Sequence, residues 1–232
     1  MTTSVPSGWP LVSAAIVDAA RRTALDALAS ERLVDYYDTA GDYAGATFAS
    51  IHPNDPFDVT GADLHAISML SVQVGPAATR RVLDDGPLRQ GLLAALAQTP
   101  ADVSLADASA ADLAAAWDLH CMCRRALADP TTKGPSDPWV TAAKLAARKR
   151  PRLLPVRDSK VRRLLGLEPE RDGRLELQVL RALVSDPVVR GAIDTAVARA
   201  RGLAHEAGRA CVFDTEPLRV LDAALWLRAI RG

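Results

Sequence analysis

The sequence predicts an all-α protein, and three observations carry that expectation. Alanine, the strongest helix former, is the commonest residue at 43 of 232. Aromatic residues make up only 4% of the chain, and the alternation of β-branched residues that marks strands is rare. Apolar residues recur at helical spacing in one segment after another, with proline or glycine between segments. With 49% hydrophobic residues over 232 positions, the chain can bury a substantial core, as one large domain or as two small lobes.

The elements follow in order. Between Leu11 and about Thr39, the residues Ile16, Ala20, Leu25, Leu28 and Leu33 recur at helical spacing with charged residues between them, which predicts an amphipathic entry segment. Residues 41–58 read as loop, because Gly41, Gly45, Pro53 and Pro56 interrupt any period and His52-Pro53-Asn54-Asp55-Pro56 concentrates turn formers. Thr60-Gly61-Ala62-Asp63 resembles a capping box, with a helix after it carrying Leu64, Ile67, Met69 and Leu70. Further helices are predicted over about 76–84, 87–98, 109–128, 139–149, 159–166, 175–184, 187–206 and 216–230, separated by Pro87, Pro100, Pro130, Pro151, Pro155, Pro169 and Gly208.

Charge gives the chain its organisation. The 28 basic and 28 acidic residues cancel overall, yet residues 1–141 hold 9 basic and 17 acidic side chains, residues 142–163 hold 9 basic and one acidic, and residues 164–232 hold 10 of each. A positive block this dense in a neutral chain points to a local anionic partner, since field strength follows clustering rather than the total. The acidic and basic halves divide near residue 135. Two approximate lobes are therefore expected within a single helical domain of residues 1–232: an acidic lobe over 60–135, and a lobe of 1–59 plus 136–232 that carries the basic segment.

Several functional classes lack a signature. No run of about 18 apolar residues exists, and the N-terminus, with Pro6 and Pro10, has no charged segment leading into an apolar one, so a soluble, cytoplasmic protein without membrane partner is expected. Cys121, Cys123 and Cys211 are too few and too odd for a disulfide framework or a four-ligand iron–sulfur cluster. His120-Cys121-Met122-Cys123 lies within an unbroken helical pattern, where a small buried thiol is the ordinary reading, and the four histidines form no ligand spacing. There is no Walker-type loop and no Gly-x-Gly-x-x-Gly. No metal and no cofactor is expected.

The basic block itself reads as helix, connection, helix. A helix beginning near Val140 must stop around Arg150, because Pro151 lacks an amide hydrogen and pushes its predecessor out of the helical region. Asp158 or Ser159 then caps a second helix bearing Lys160, Arg162 and Arg163, with Gly166 near its end.

This pattern resembles the helix-hairpin-helix DNA glycosylase superfamily, in which a glycine-rich hairpin leads into a Thr-Ala helix and a Val-Asp-Thr-His-Val-like segment supplies the catalytic aspartate. Thr141-Ala142 matches the helix opening, Pro155-Val156-Arg157-Asp158-Ser159-Lys160-Val161-Arg162-Arg163 stands where the aspartate segment belongs, and the 17-residue step from Thr141 to Asp158 fits the spacing. Met69-Leu70-Ser71-Val72-Gln73 is similar to the superfamily's Leu-Leu-Ser-x-Gln helix end. Two positions depart from the pattern. Ser136-Asp137-Pro138 replaces the hairpin Gly-x-Gly, where Pro138 cannot donate an amide to a phosphate and Asp137 repels one. Val140 occupies the place of the Schiff-base lysine of lyase-type members. More closely, Lys144-Leu145-Ala146-Ala147-Arg148-Lys149-Arg150-Pro151-Arg152-Leu153-Leu154-Pro155-Val156-Arg157-Asp158 and Leu218-Arg219-Val220-Leu221-Asp222-Ala223-Ala224-Leu225-Trp226 look like signatures of an actinobacterial domain family of unknown function, a match that brings no activity with it.

The superfamily resemblance implies duplex DNA as partner and a monofunctional N-glycosylase reaction. Asp158 would stabilise the sugar cation, Gln73 would fill the gap left by the extruded base, and Trp139 would stack in the base pocket. Thr141, Lys144, Arg148, Lys149, Arg150, Arg152, Arg157, Lys160 and Arg162 would contact the nucleic acid, chiefly its phosphates. Plainer readings stand beside these: a helix cap for Asp158, a solvated amide for Gln73, core packing for Trp139 and Trp226, and a solvated helix end for Arg148, Lys149, Arg150 and Arg152. Two rival functions remain open. One is a non-catalytic nucleic-acid-binding or interaction module on the same helical scaffold. The other is internal, with the basic block docking on the chain's own acidic half.

Overall fold

Helix starts are written into the sequence as caps. In the computed structural model, which describes residues 5–41, 43, 45–128, 137–168 and 172–230, the elements are α1 (Ala14–Leu28), α2 (Leu33–Tyr37), α3 (Gly45–Phe48), α4 (Gly61–Ser68), α5 (Pro76–Leu83), α6 (Pro87–Gln98), α7 (Ala110–Leu127), α8 (Trp139–Lys149), α9 (Ser159–Leu164), α10 (Gly173–Ser185), α11 (Pro187–Glu206) and α12 (Pro217–Ala229). Ser13 caps α1, Ser109 and Asp112 form a reciprocal box on α7, and Asp158, Asp172 and Asp186 each accept a backbone amide at the start of α9, α10 and α11. Proline opens α5, α6, α11 and α12, where its missing donor costs nothing. Gly166 and Gly208 take positive φ (70° and 61°) beyond α9 and α11, and the amides of Leu167 and Arg209 reach back to the carbonyls of Arg162 and Ala204.

The chain is all-α among the described residues, with one isolated antiparallel bridge between Asp38 and Cys211. Two local expectations change. The entry segment is not continuous: α1 stops at Leu28, the Ser30 hydroxyl accepts the Arg32 amide at 3.3 Å, and α2 begins at Leu33. Ser30 competes locally for the backbone, and Arg199 closes the end of α1 by donating to the Leu28 carbonyl at 2.6 Å. The loop expected over 41–58 contains the short α3, where Gly45 carries no Cβ to collide with the Tyr36 ring.

The contacts divide the chain into two compact units. The first is built mainly from Thr47–Ser104 and Ala108–Val156, the second mainly from Gly8–Ala46 and Arg157–Gly232. In the first, α7 packs against α5, α6 and α8, and α8 also packs against α4. Ile67, Val82, Leu92, Leu96, Leu113, Leu119 and Leu145 are each fully buried. Every residue of α8 from Ala142 to Lys149 is buried, so this helix is the centre of its unit. In the second unit α1 packs against α10, α11 and α12, and α12 also meets α2 and α9. Ala20, Ala24 and Ala27 on α1 and Ala196, Ala200 and Ala204 on α11 are buried, which is where much of the alanine goes: small side chains let helices approach closely. No helix among the described residues is long and apolar enough to cross a membrane.

Candidate functional site

The basic block begins as a helix that is buried all round. Ala142, Ala143, Leu145, Ala146 and Ala147 are enclosed together with Lys144, so α8 is a core helix although it carries charge. Its last turn then carries three consecutive cations into the interior. Arg148 and Arg150 have no exposed surface, and Lys149 is 3% exposed.

Their partners account for that burial. Arg148 donates from Nε to Asp63 Oδ1 at 3.1 Å, from Nη1 to the Phe48 carbonyl at 2.7 Å, and from Nη2 to the carbonyls of Ile51 and Pro53. Lys149 Nζ meets Asp63 Oδ2 at 2.6 Å, Asn54 Oδ1 at 3.0 Å and the Asp55 carbonyl at 3.0 Å. Arg150 donates from Nε to the Thr99 carbonyl at 2.9 Å, from Nη1 to the Pro56 carbonyl at 2.8 Å, and from Nη2 to the Leu96 carbonyl at the end of α6. An irregular segment has no ladder to satisfy its carbonyls, and inside a protein each must find a donor. The three cations supply donors to the segment 48–56, and Asp63 supplies the charge that makes the desolvation of Arg148 and Lys149 tolerable, while Arg150 is held by carbonyls. Burial pulls the Lys149 ammonium below its ordinary pKa, an effect Asp63 opposes, and burial likewise lowers Arg150.

Arg148, Lys149 and Arg150 therefore form an internal clamp, and the expectation that they face a phosphate backbone gives way. Their donors are held by protein acceptors, and no atom of Arg148 or Arg150 reaches solvent. Lys144 is a fourth internal cation, 5% exposed, donating to the Leu70 carbonyl at 2.5 Å just past the end of α4. Gln73 follows in the exposed connection to α5. The resemblance to the Leu-Leu-Ser-x-Gln helix end thus falls on a segment that Lys144 ties down.

The remaining candidates are placed as follows. Trp139 and Thr141 are half-buried in the first turn of α8 and Arg152 is exposed after it, all in the first unit. Ser136 lies outside the described residues, while Asp137 forms a two-pronged ion pair with Arg124, at 2.6 Å on both oxygens, which offsets its charge. The second unit holds the others. Asp158 is half-buried, with Oδ1 accepting the Lys160 amide at 2.8 Å, and the Lys160 side chain is exposed. Arg157 is buried and paired with Glu176 at 2.7 Å. Arg162 is half-buried, 3.7 Å from Glu176, and donates to the Leu167 carbonyl at 3.1 Å.

Sequence reasoning missed the counterions. Asp63 was legible as a capping residue, and it does accept the Thr60 amide at 2.8 Å, but its second role depends on a residue 85 positions away. One signal was available: three successive residues cover over half of a helix's circumference, so three cations in a row cannot all share one solvated face.

A second polar centre, also absent from the sequence reading, lies in the second unit. Tyr37 donates to Asp214 Oδ2 at 3.1 Å and packs against Phe213 and Tyr36, each at 5.1 Å between ring centroids. Trp226 meets Tyr36 and Tyr43 edge-on at 6.0 and 5.5 Å, so its ring serves packing. Arg219 is buried against Asp222 at 2.7 Å. Burial pushes the Asp214 carboxyl above the ordinary carboxylate range, against the pull of Arg219 and the Tyr37 hydroxyl. A carboxyl raised in this way binds its proton more tightly folded than unfolded. Its contribution to stability is present below the unfolded carboxylate range and is lost as pH rises through the folded pKa. The stability of the native sequence relative to Asp214→Asn is therefore expected to fall as pH rises above the ordinary carboxylate range, measured by urea midpoints. Parallel profiles for the two proteins would contradict this.

Fold and site together define a class: a protein all-α among the described residues, of two helical units, one of which holds the consecutive cations Arg148, Lys149 and Arg150 in its interior. The family follows from comparison. A model described as a family of unknown function (DUF6308) matches residues 29–229, and the chain belongs to that family. No curated protein and no solved structure matches it. Among the described residues, no group of three or more His, Cys, Asp or Glu side chains is gathered to hold a metal ion.

Proposed function

We propose that the chain binds duplex DNA and hydrolyses an N-glycosidic bond, as a monofunctional base-excision glycosylase with Asp158 as its essential acid. The observation that carries the reading is the setting of Asp158. Its carboxylate is half-buried at the head of α9, one oxygen anchored by the Lys160 amide and the other taking no hydrogen bond from the described residues, with the exposed Lys160 side chain next to it. A carboxylate held in this way can stabilise the positive charge that develops on a sugar as the base departs, and can orient the attacking water.

The burial of the clamp narrows the proposed DNA contacts. Within the unit that carries Asp158, phosphate binding falls to the exposed Lys160. Arg157 and Arg162 act within the protein, through Glu176. Val140 in place of a lysine gives hydrolysis without strand cleavage. The test is formation of abasic sites on duplexes bearing single uracil, hypoxanthine, oxidised or alkylated bases. The expected product is a strand broken only after alkali treatment, and a panel with no product from folded protein removes the enzymatic reading.

A second reading, the non-catalytic binding module, is favoured by one observation: among the described residues, the hydrogen bond that the Asp158 carboxylate makes is the helix cap, which needs no chemistry. Salt-dependent duplex binding that is indifferent to Asp158→Asn would select it.

A further inference from the structure

Glu176 is 1% exposed on α10, a position where a carboxylate is costly. Its Oε2 receives Arg157 Nε at 2.7 Å and lies 3.7 Å from Arg162 Nε. These two arginines bracket Asp158: Arg157 precedes it directly, and Arg162 follows one helical turn later, with its amide on the Asp158 carbonyl at 3.0 Å. One carboxylate thus ties both ends of the turn that Asp158 caps. The approach also depends on Gly173, the first residue of α10, because a Cβ there would overlap the Arg157 guanidinium.

Stability alone is a poor reason for this arrangement. Glu176 Oε1 is buried without a hydrogen-bond partner among the described residues, and a half-satisfied buried ion is often worse than an apolar side chain of the same size. Fixed geometry is what such a cluster gains, and here the geometry fixed is that of residues 157–162.

We propose that Glu176 is the positioning residue for Asp158, holding the turn from Arg157 to Arg162 so that the Asp158 carboxylate keeps a single orientation. The inference rests on the reading of Asp158 as the acid that stabilises the sugar cation. Orientation matters at this site because charge stabilisation falls off steeply once the carboxylate moves; a misplacement of about 1 Å costs on the order of 100-fold in rate.

The test uses two variants, Glu176→Gln and Gly173→Ala. The second displaces the Arg157 guanidinium without deleting a charge, so it stays informative if the first folds poorly. Two readouts are taken on the full chain: hydrogen exchange at the Lys160 amide, which Asp158 caps, and single-turnover excision alongside affinity for a duplex carrying a tetrahydrofuran abasic analogue. Both variants should exchange Lys160 about tenfold faster than native while amides of α11 keep their protection. Excision should fall about 100-fold with affinity changed less than about twofold. Unchanged exchange at Lys160 in either folded variant overturns the proposal, as does a uniform rise across the second unit or a loss of affinity that matches the loss of rate. If native protein and Asp158→Asn both fail to excise any base, the enzymatic reading falls on its own, and exchange at Lys160 still decides the role of Glu176.

Discussion

Replacing Arg148 with methionine is expected to lower the unfolding free energy by about 3–5 kcal/mol, the cost of removing one partner from a buried ionic cluster. Methionine keeps most of the apolar volume, so the loss reports the guanidinium. Its removal leaves the carbonyls of Phe48, Ile51 and Pro53 short of a donor and leaves Asp63 with Lys149 as its remaining cation. Such a loss is a large part of the roughly 5–15 kcal/mol that holds an ordinary domain together. Arg148→Lys should restore little, because a single ammonium cannot reproduce a fork that meets Asp63 and three carbonyls at once. The matching control is Lys160→Ala, at an exposed position of the same basic block, which should change stability by no more than about 0.5 kcal/mol. Denaturant unfolding measures both. Equal midpoints for the Arg148 and Lys160 variants would mean that the clamp is not what holds residues 48–56.

The second large effect is on chemistry. Asp158→Asn should reduce single-turnover excision by about 100- to 1,000-fold, the range seen when one preorganised electrostatic group is removed from an active site. Stability should hardly move, because asparagine caps a helix about as well as aspartate and can still accept the Lys160 amide. Asp158→Ala separates the two roles from the other side: it loses the same activity and, in addition, about 1 kcal/mol of helix cap. A native protein that excises a base no faster than the Asp158→Asn variant would reduce Asp158 to its capping role.

Local chemistry made most of the helices legible. Pro87 opens a helix where the sequence placed a break, Pro76 and Pro187 stand at the expected helix starts, and Asp158 and Gly166 act as the cap and stop their identities suggest. The break between α1 and α2 was missed because the apolar period runs on through Leu33, while the break itself depends on Ser30 and on Arg199 from a distant helix. The site was legible only at the level of residues that act through their neighbours in sequence. Asp158 as a cap is such a residue. Arg148, Lys149 and Arg150 are the opposite case: cations at a helix C-terminus satisfy the dipole rule as they stand, and nothing local reveals that the segment 48–56 closes over them. Glu176 was invisible for the same reason, since a charged residue within an amphipathic period reads as a solvated face until its partner's position is known, and Asp214, in the irregular segment before α12, is defined by its contact with the distant Tyr37.

The internal clamp is the central claim, and the chain's small number of lysines offers a direct measurement of it. Native protein is treated with a limiting amount of acetic anhydride, without DNA, and the sites of acetylation are mapped. Lys160 is exposed, whereas Lys144 and Lys149 are 5% and 3% exposed and bonded to Leu70, Asp63, Asn54 and Asp55. Burial lowers the Lys149 pKa, which by itself favours the reactive neutral amine, so protection there reports enclosure rather than charge. The account predicts rapid acetylation at Lys160 and none at Lys144 or Lys149 until the protein is unfolded. Acetylation of Lys149 at a rate comparable to that of Lys160 in the folded protein would contradict it.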